Sequence, residues 1–364
     1  MFKKVLDVAF LRAYIGLEHV QIANRRGNTH MNASRVVIAG GSGLLGSLLA
    51  RRFHDGGAEV VVLSRHPALA PWRVAEWDGH SLGAWAGEIN GTDAVINLAG
   101  RSVNCRYNDS NHDEILRSRI DSTRAIRKAI AIATNPPRVW LQMSTATIYA
   151  HRTDAANDEF TGLIGGIEPD APDSWRFSID VAKQWEAEVN SAALPRTRRV
   201  ILRTAMVMSP QRHGTFATLR RLVRLGLGGR AASGRQYMSW IHHLDFVRAV
   251  DFLIGRDDLP GVVNLAAPEP LPNADFMRAL REACGVRVGL PATRWMLALG
   301  AWALRSETEL ILKSRRVVPA RLLQRGFEFA YPSWPEAARD LCDEPAVTRV
   351  AIAAPPRTAG GGTW

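Results

Sequence analysis

The residues best suited to chemistry in this chain are glycines. From Arg35 to Ala39 a β-branched run leads into Gly40-Gly41-Ser42-Gly43-Leu44-Leu45-Gly46, and Leu48, Leu49 and Phe53 continue the apolar spacing of a helix. A strand, a G-x-x-G-x-x-G turn and a helix in that order make a pyrophosphate cradle. Gly40 permits a tight exit from the strand, Gly43 lets main chain approach phosphate, and Gly46 lets the helix pack close to the sheet. The helix N-terminus meets the anion with free N–H groups and its positive dipole end, so Ser42, Leu44 and Leu45 join the glycines as lining residues.

The end of the second strand selects the nucleotide, because an acidic residue there favours NAD and a basic one accommodates the extra phosphate of NADP. That place reads Leu63-Ser64-Arg65. With no carboxylate and a guanidinium able to grip phosphate in bidentate fashion, NADP(H) is the expected cofactor and Ser64 and Arg65 its contacts. By position alone, Asp78 falls on the adenine side, and Leu98, Ala99 and Gly100 on the phosphate side.

These residues need a scaffold of parallel strands. Glu59 to Leu63, Asp93 to Leu98 and Arg138 to Met143 read as second, fourth and fifth strands, and Arg199 to Thr204 and Val262 to Leu265 as later ones. Short apolar strands without a polar face, alternating with helical patterns, predict a Rossmann-type doubly wound α/β sheet covered on both sides, with a smaller mixed substrate-side and C-terminal subdomain. Asn273 to Cys284 reads as a further helix. The expected organisation is an N-terminal extension over 1–33 outside the fold, a nucleotide-binding domain over 34–270, a helical module over 271–345 and a flexible tail over 346–364. Met31, just before the first strand, suits that reading of the extension.

The formal net charge of +11 invites a nucleic-acid reading, yet only five of the 46 basic residues are lysine, and the arginines are dispersed rather than gathered into a stripe. No nucleic-acid partner is expected, and attraction to an anionic cofactor is the better use of the charge. Three cysteines, Cys105, Cys284 and Cys342, without C-x-x-C spacing suggest neither a disulfide framework nor a metal site, which suits a reducing cytoplasm. Trp295 to Leu304 is too short to span a bilayer, and Asp7 and Arg12 interrupt the apolar stretch after Lys3-Lys4, so neither a membrane span nor a signal peptide is expected.

GGSGLLG at 40–46, VINLAG at 95–100, STATIY at 144–149, WIHHLD at 240–245 and VVNLAAPEP at 262–270 together resemble the short-chain dehydrogenase/reductase superfamily in its extended, epimerase-like form. Trp185-Glu186, SRIDSTRA at 118–125, GRQYMSWIHH at 234–243 and LKSRRVVPARLLQRGFEF narrow the resemblance to the atypical group called epimerase family protein, whose C-terminal module has no assigned function. The resemblance runs from Ser34 to Leu341. It implies a tyrosine general acid with lysine four residues on, a serine or threonine for the substrate oxygen, and a supporting asparagine. None of Tyr14, Tyr107, Tyr149, Tyr237 and Tyr331 has that lysine.

By the same resemblance Ser178 and Ala182 occupy the tyrosine and lysine positions, and Lys183 lies one helical step, about 100°, away. Arg119 takes the asparagine position and Thr145 the serine or threonine position, with Ser144 beside it. Tyr149 lies near the nicotinamide side or closes off the core. His213 and His242 are candidate proton donors, although His242 before a helix suits a structural role, and Arg101, Arg235, Gln236 and Trp240 are candidate cleft residues. Two functions are consistent with these residues: an NADP(H)-dependent oxidoreductase acting on a small-molecule substrate through Thr145, Arg119 and Tyr149, or a non-catalytic NADP(H)-binding regulator linked to cell division. The run Leu290 to Leu341 reads as a helical cap over the substrate side or as a homodimer surface.

Overall fold

Strands that are apolar on both faces must be covered on both faces, and the sheet is built that way. The computed structural model describes residues 32–343 except 104, 106–107, 169–171, 212–213, 294 and 298–308. Its strands are β1 (Arg35–Ala39), β2 (Glu59–Ser64), β3 (Arg73–Glu76), β4 (Ala94–Asn97), β5 (Val139–Thr145), β6 (Arg198–Thr204), the short β7 (Met206–Met208), β8 (Tyr237–Met238) and β9 (Trp240–His242), then β10 (Gly261–Leu265) and β11 (Leu271–Pro272). The main sheet has the order β3-β2-β1-β4-β5-β6-β10, with every pairing parallel. Strand order reverses between β1 and β4, which opens a crevice at their carboxyl ends. β3 was not anticipated in the sequence: it is a four-residue edge strand whose Arg73 and Glu76 are exposed, so it has no apolar run to betray it.

One face of the sheet packs on α1 (Leu44–Asp55) and α5 (His243–Ile254) through Leu49, Phe53, Phe246 and Val250. The other packs on α2 (Asp109–Ile132) and α3 (Asp173–Asn190) through Ile126, Ala129 and Val189. A further core joins α4 (Thr215–Arg224), α6 (Asn273–Ala283) and α9 (Trp334–Asp343), where Phe276 stacks on Trp334 at 3.9 Å and Trp240 meets the same ring at 5.0 Å. Trp240 is fully buried there and Gln236 donates to the carbonyls of Ala231 and Ile311, so neither lines a cleft as the sequence suggested. Among the described residues no helix is long and apolar enough to cross a membrane.

The C-terminal run differs from a helical cap. α7 (Glu309–Leu312), α8 (Ala320–Gln324) and α9 are helical, but residues 313–318 between them are extended and largely buried. Arg315 N–H donates to Tyr237 O (2.8 Å), Val317 N–H to Ser239 Oγ (2.8 Å), Asn157 N–H to Arg316 O (2.6 Å) and Val318 N–H to Asn157 O (3.0 Å). The basic Lys313-Ser314-Arg315-Arg316 run is therefore an internal strap between two loops of the main domain. The expected N-terminal extension up to residue 31, the tail, His213, and Leu299, Trp302 and Leu304 lie outside the described residues.

Fully buried Asp245 anchors the chain beyond the strap, accepting the N–H groups of Ala330 (2.8 Å) and Tyr331 (2.9 Å) and pairing with Arg248 at 2.9 Å. Asp245→Ala is expected to lower stability to urea by about 2 kcal/mol, because it strands two half-buried donors and one cation; a loss below about 0.5 kcal/mol would contradict this role. His242, also fully buried, accepts the N–H of Leu244 at Nδ1, and its Nε2 lies 3.2 Å from Asp340 Oδ2. Burial, opposed by Asp340, holds the His242 pKa below the ordinary 6.5. The folded protein thus binds fewer protons than the unfolded one, and this contribution to stability is present above that value and lost as pH falls through the folded pKa. Thermal melting from about pH 7 to pH 5 is expected to fall more steeply for the wild type than for His242→Asn, and parallel slopes would refute it.

Candidate functional site

The crevice begins at Gly40, whose φ of +74° turns the chain out of β1. A Cβ on Gly40 would stand 2.9 Å from Ala99 N, so the turn and the chain leaving β4 cross without room for a side chain. Gly46 is equally confined, with Gly41 Cα 2.4 Å from the place of its Cβ, which seats the first turn of α1 directly on the glycine turn. Gly43 differs. The space over it is open, with Gly40 O at 3.4 Å the neighbour found within 4 Å, and Ser42 and Gly43 are exposed. No side chain caps α1 and its first turn carries no acid, so its N–H groups and dipole face this opening uncompensated. That geometry fits a pyrophosphate.

Ser64, at the end of β2, is buried and bonded to His66 O, with Ser42 Oγ 3.4 Å away, so it braces the turn. Arg65 is exposed and has no hydrogen-bond or ion-pair partner among the described residues. It lines a groove of about 420 Å³ with Glu76, Trp77, Asp78, Ser81 and Trp85, where the two tryptophans meet edge to face at 5.3 Å. Desolvation pushes the Asp78 pKa up, but the hydrogen bonds it accepts from the Ser81 hydroxyl and from the N–H groups of His80 and Ser81 together outweigh it and hold the pKa at about 2. Trp77 and Trp85, neither singled out in the sequence, are buried in the core on that face of the sheet and form the floor of the groove. On the other side, Leu98 and Ala99 are half-buried, and Ala99 N–H is held by Asn97 Oδ1 at 3.0 Å.

At the far end of the crevice Thr145 is half-buried, and its Oγ1 accepts the N–H of Thr147. Its neighbours face inward. Ser144 Oγ donates to Glu186 Oε1 (2.6 Å), and Arg203 grips both Glu186 oxygens at 2.9 and 2.7 Å. Tyr149 is 2% exposed, donates its hydroxyl to Asn264 Oδ1 (2.9 Å) and has the Arg203 guanidinium 4.9 Å from its ring centre. Burial raises its pKa despite Arg203. Ser144 and Tyr149 thus belong to one internal network, and of the two readings of Tyr149 this position favours closure of the core. Arg119 lies against Gly100, with Cζ 3.3 Å from where a Cβ would stand and 5.1 Å from the Trp185 ring centre. Arg101 is held by Asn111 and Glu114, and Arg235 is exposed.

On α3, Ala182 is fully buried against the 146–149 turn and Val317, and Lys183 is exposed beside Gly166. Ser178 is half-buried, and its Oγ is 2.6 Å from Oε2 of Glu309. Glu309 Oε1 lies 3.7 Å from Lys313 Nζ and 4.0 Å from Arg315 Nη2, and Lys313 donates to Thr147 O at 2.7 Å. Burial raises the Glu309 pKa against the pull of Arg315, Ser178 and Lys313, and burial brings Lys313 down to about 8. Neither Glu309 nor Lys313 was singled out as a site residue. The available signal was compositional: Lys313 is one of five lysines in an arginine-rich chain, four residues after a glutamate.

Residues 36–266 match the model of the NAD dependent epimerase/dehydratase family, and residues 292–341 match a domain of unknown function, DUF1731. The human epimerase family protein SDR39U1 is 30% identical over 315 residues, which is 84% of this chain and 99% of that protein. An epimerase family protein of Mycobacterium leprae is 32% identical over 306 residues, 83% of this chain and 94% of its own. The crystal structure of human SDR39U1 (isoform 2) with NADPH superposes with a TM-score of 0.73 at 28% identity, covering 85% of this chain and 99% of that one. A nucleoside-diphosphate sugar epimerase from Corynebacterium glutamicum gives 0.68 at 25% identity, covering 89% of this chain and 62% of that one. A family match over most of the sheet, joined to the C-terminal domain match, places this chain in the NAD dependent epimerase/dehydratase family, in the same group as the epimerase family proteins.

Proposed function

We propose that this protein is an NADP(H)-dependent oxidoreductase of the atypical short-chain type, acting on a small carbonyl, enone or quinone substrate. The observation that carries the reading is Arg65, exposed and unpaired among the described residues just past the end of β2, together with the uncapped N-terminus of α1. A guanidinium without an internal partner suits the phosphate that distinguishes NADP from NAD, and the open space at Gly43 suits the pyrophosphate. The co-crystallised NADPH of the human relative supports the same cofactor. Ser42, Leu44, Leu45, Leu98, Ala99 and Gly100 line the path between the two phosphate sites, with Asp78 on the adenine side.

When bound, the cofactor supplies a hydride. The chain's own task is to hold the substrate oxygen and give it a proton, since an alkoxide formed without a donor is costly. Thr145 and Arg119 border the place where that oxygen would lie, Thr145 as hydroxyl partner and Arg119 as a fixed positive charge. Buried Ala182, at the position of the family's lysine, favours a second reading, a regulator that binds nucleotide and a protein partner without turnover. It requires partner capture that depends on NADP(H).

Calorimetric titration of nucleotide-free protein tests the cofactor assignment. NADPH is expected to bind at least about tenfold tighter than NADH, with Arg65→Asp removing the preference. Equal affinities, or a preference that survives the substitution, would contradict it. Thr145→Val is expected to lower the rate of NADPH oxidation by a reactive quinone about tenfold or more while leaving nucleotide affinity unchanged, and an unaltered rate would remove Thr145 from the reaction.

A further inference from the structure

We propose that the C-terminal module completes the substrate-oxygen site: Ser178 of α3 gives its hydroxyl proton to that oxygen, and Glu309 of α7 replaces it from behind. The proposal rests on the oxidoreductase reading. Ser178 and Glu309 are 131 residues apart in sequence yet their oxygens are 2.6 Å apart. Ser178 is half-buried on a helix that lies against the 146–148 turn directly after Thr145, whereas Glu309 is 2% exposed. Ser178 thus sits on the helix packed against that turn, and its partner Glu309 is sealed from solvent.

A buried carboxyl bonded to the hydroxyl of a half-buried serine has the layout of a proton relay. Glu309 Oε1 has no hydrogen-bond partner among the described residues. Among the described residues the charged groups around the pair are Lys313 at 3.7 Å and Arg315 at 4.0 Å, with Glu168 acting on Lys313 from the loop before α3. Burial favours the protonated carboxyl of Glu309, and the two cations stabilise the carboxylate that forms once it has given its proton.

The proton and electron count closes. When a carbonyl carbon gains hydride, the C=O π pair moves to oxygen, that oxygen takes the Ser178 proton, and the serine oxygen takes the Glu309 proton. The carboxylate left behind faces Lys313 and Arg315 and is reprotonated through the Ser178 hydroxyl, which takes its proton from water once product has left. Ser178 is the catalytic residue of this arm; Glu309 and Lys313 act through it.

Two readouts on the full-length protein test the arm. Difference infrared spectroscopy at neutral pH is expected to show a protonated-carboxyl band that Glu309→Gln abolishes. With NADPH and 9,10-phenanthrenequinone as probe, Ser178→Ala and Glu309→Gln are each expected to lower kcat about 100-fold with KM within about twofold, and Ser178→Thr is expected to restore most of the rate. Wild-type kcat is expected to fall as pH rises through the carboxyl pKa, and Glu309→Gln to flatten that limb. Ser178→Ala removes the hydroxyl of one half-buried serine and keeps the test open if Glu309→Gln does not fold. Turnover without the band, or folded variants with wild-type kcat, would overturn the proposal alone. A protein that binds NADPH but oxidises none of it with the probe would overturn the oxidoreductase reading and this proposal together.

Discussion

The strap at residues 313–318 is the constraint on which the rest of the molecule depends. Its backbone is bonded on one side to Tyr237 and Ser239 and on the other to Asn157, and Ser314 Oγ reaches Arg152 O at 2.8 Å. Val317 is fully buried, as is Lys313. Burying an ammonium and a guanidinium is unfavourable unless each finds acceptors, and here the Thr147 carbonyl accepts from Lys313 and the Glu309 carbonyl from Arg315. The Thr145 end of the crevice is therefore braced by two parts of the chain, and removal of the C-terminal module would open it rather than trim it.

The two ends of the crevice rest on different physics. The phosphate end is almost wholly main chain: a positive φ at Gly40, a close approach at Gly46 and an uncapped helix start. The Thr145 end is held by side chains in series, Ser144 to Glu186 to Arg203, then Tyr149 to Asn264, whose N–H reaches Glu159 at 2.8 Å. Because Ser144 and Tyr149 are committed inward, Thr145 is left as the hydroxyl at the strand end. A polar network satisfied this fully fixes position at the cost of tolerance to change.

What is local could be read from the sequence. The strands announce themselves as β-branched runs, the glycine turn by its spacing between strand and helix, and Arg65 by its place two residues past Leu63. What depends on distant partners could not. β3 is short and half-exposed; Trp240 and Gln236 look like cleft residues until the Phe276–Trp334 stack and the Ala231 carbonyl claim them. The basic run at 313–316 resembles a solvated face in sequence, and only the loops at 150–157 and 237–239 show why it is inside. Glu309 could not be linked to Ser178 because nothing in the spacing joins positions so far apart.

The central claim is that one crevice serves phosphate, nicotinamide and substrate oxygen in a line from Arg65 to Ser178. A crystal structure of the full-length protein grown with NADPH tests it most directly. The account predicts the adenosine phosphate on the Arg65 guanidinium, the pyrophosphate over Gly43, and the nicotinamide ring at the Thr145 end with Ser178 bordering its open face. A nucleotide whose extra phosphate avoids Arg65, or whose nicotinamide lies away from Thr145 and Ser178, would contradict it.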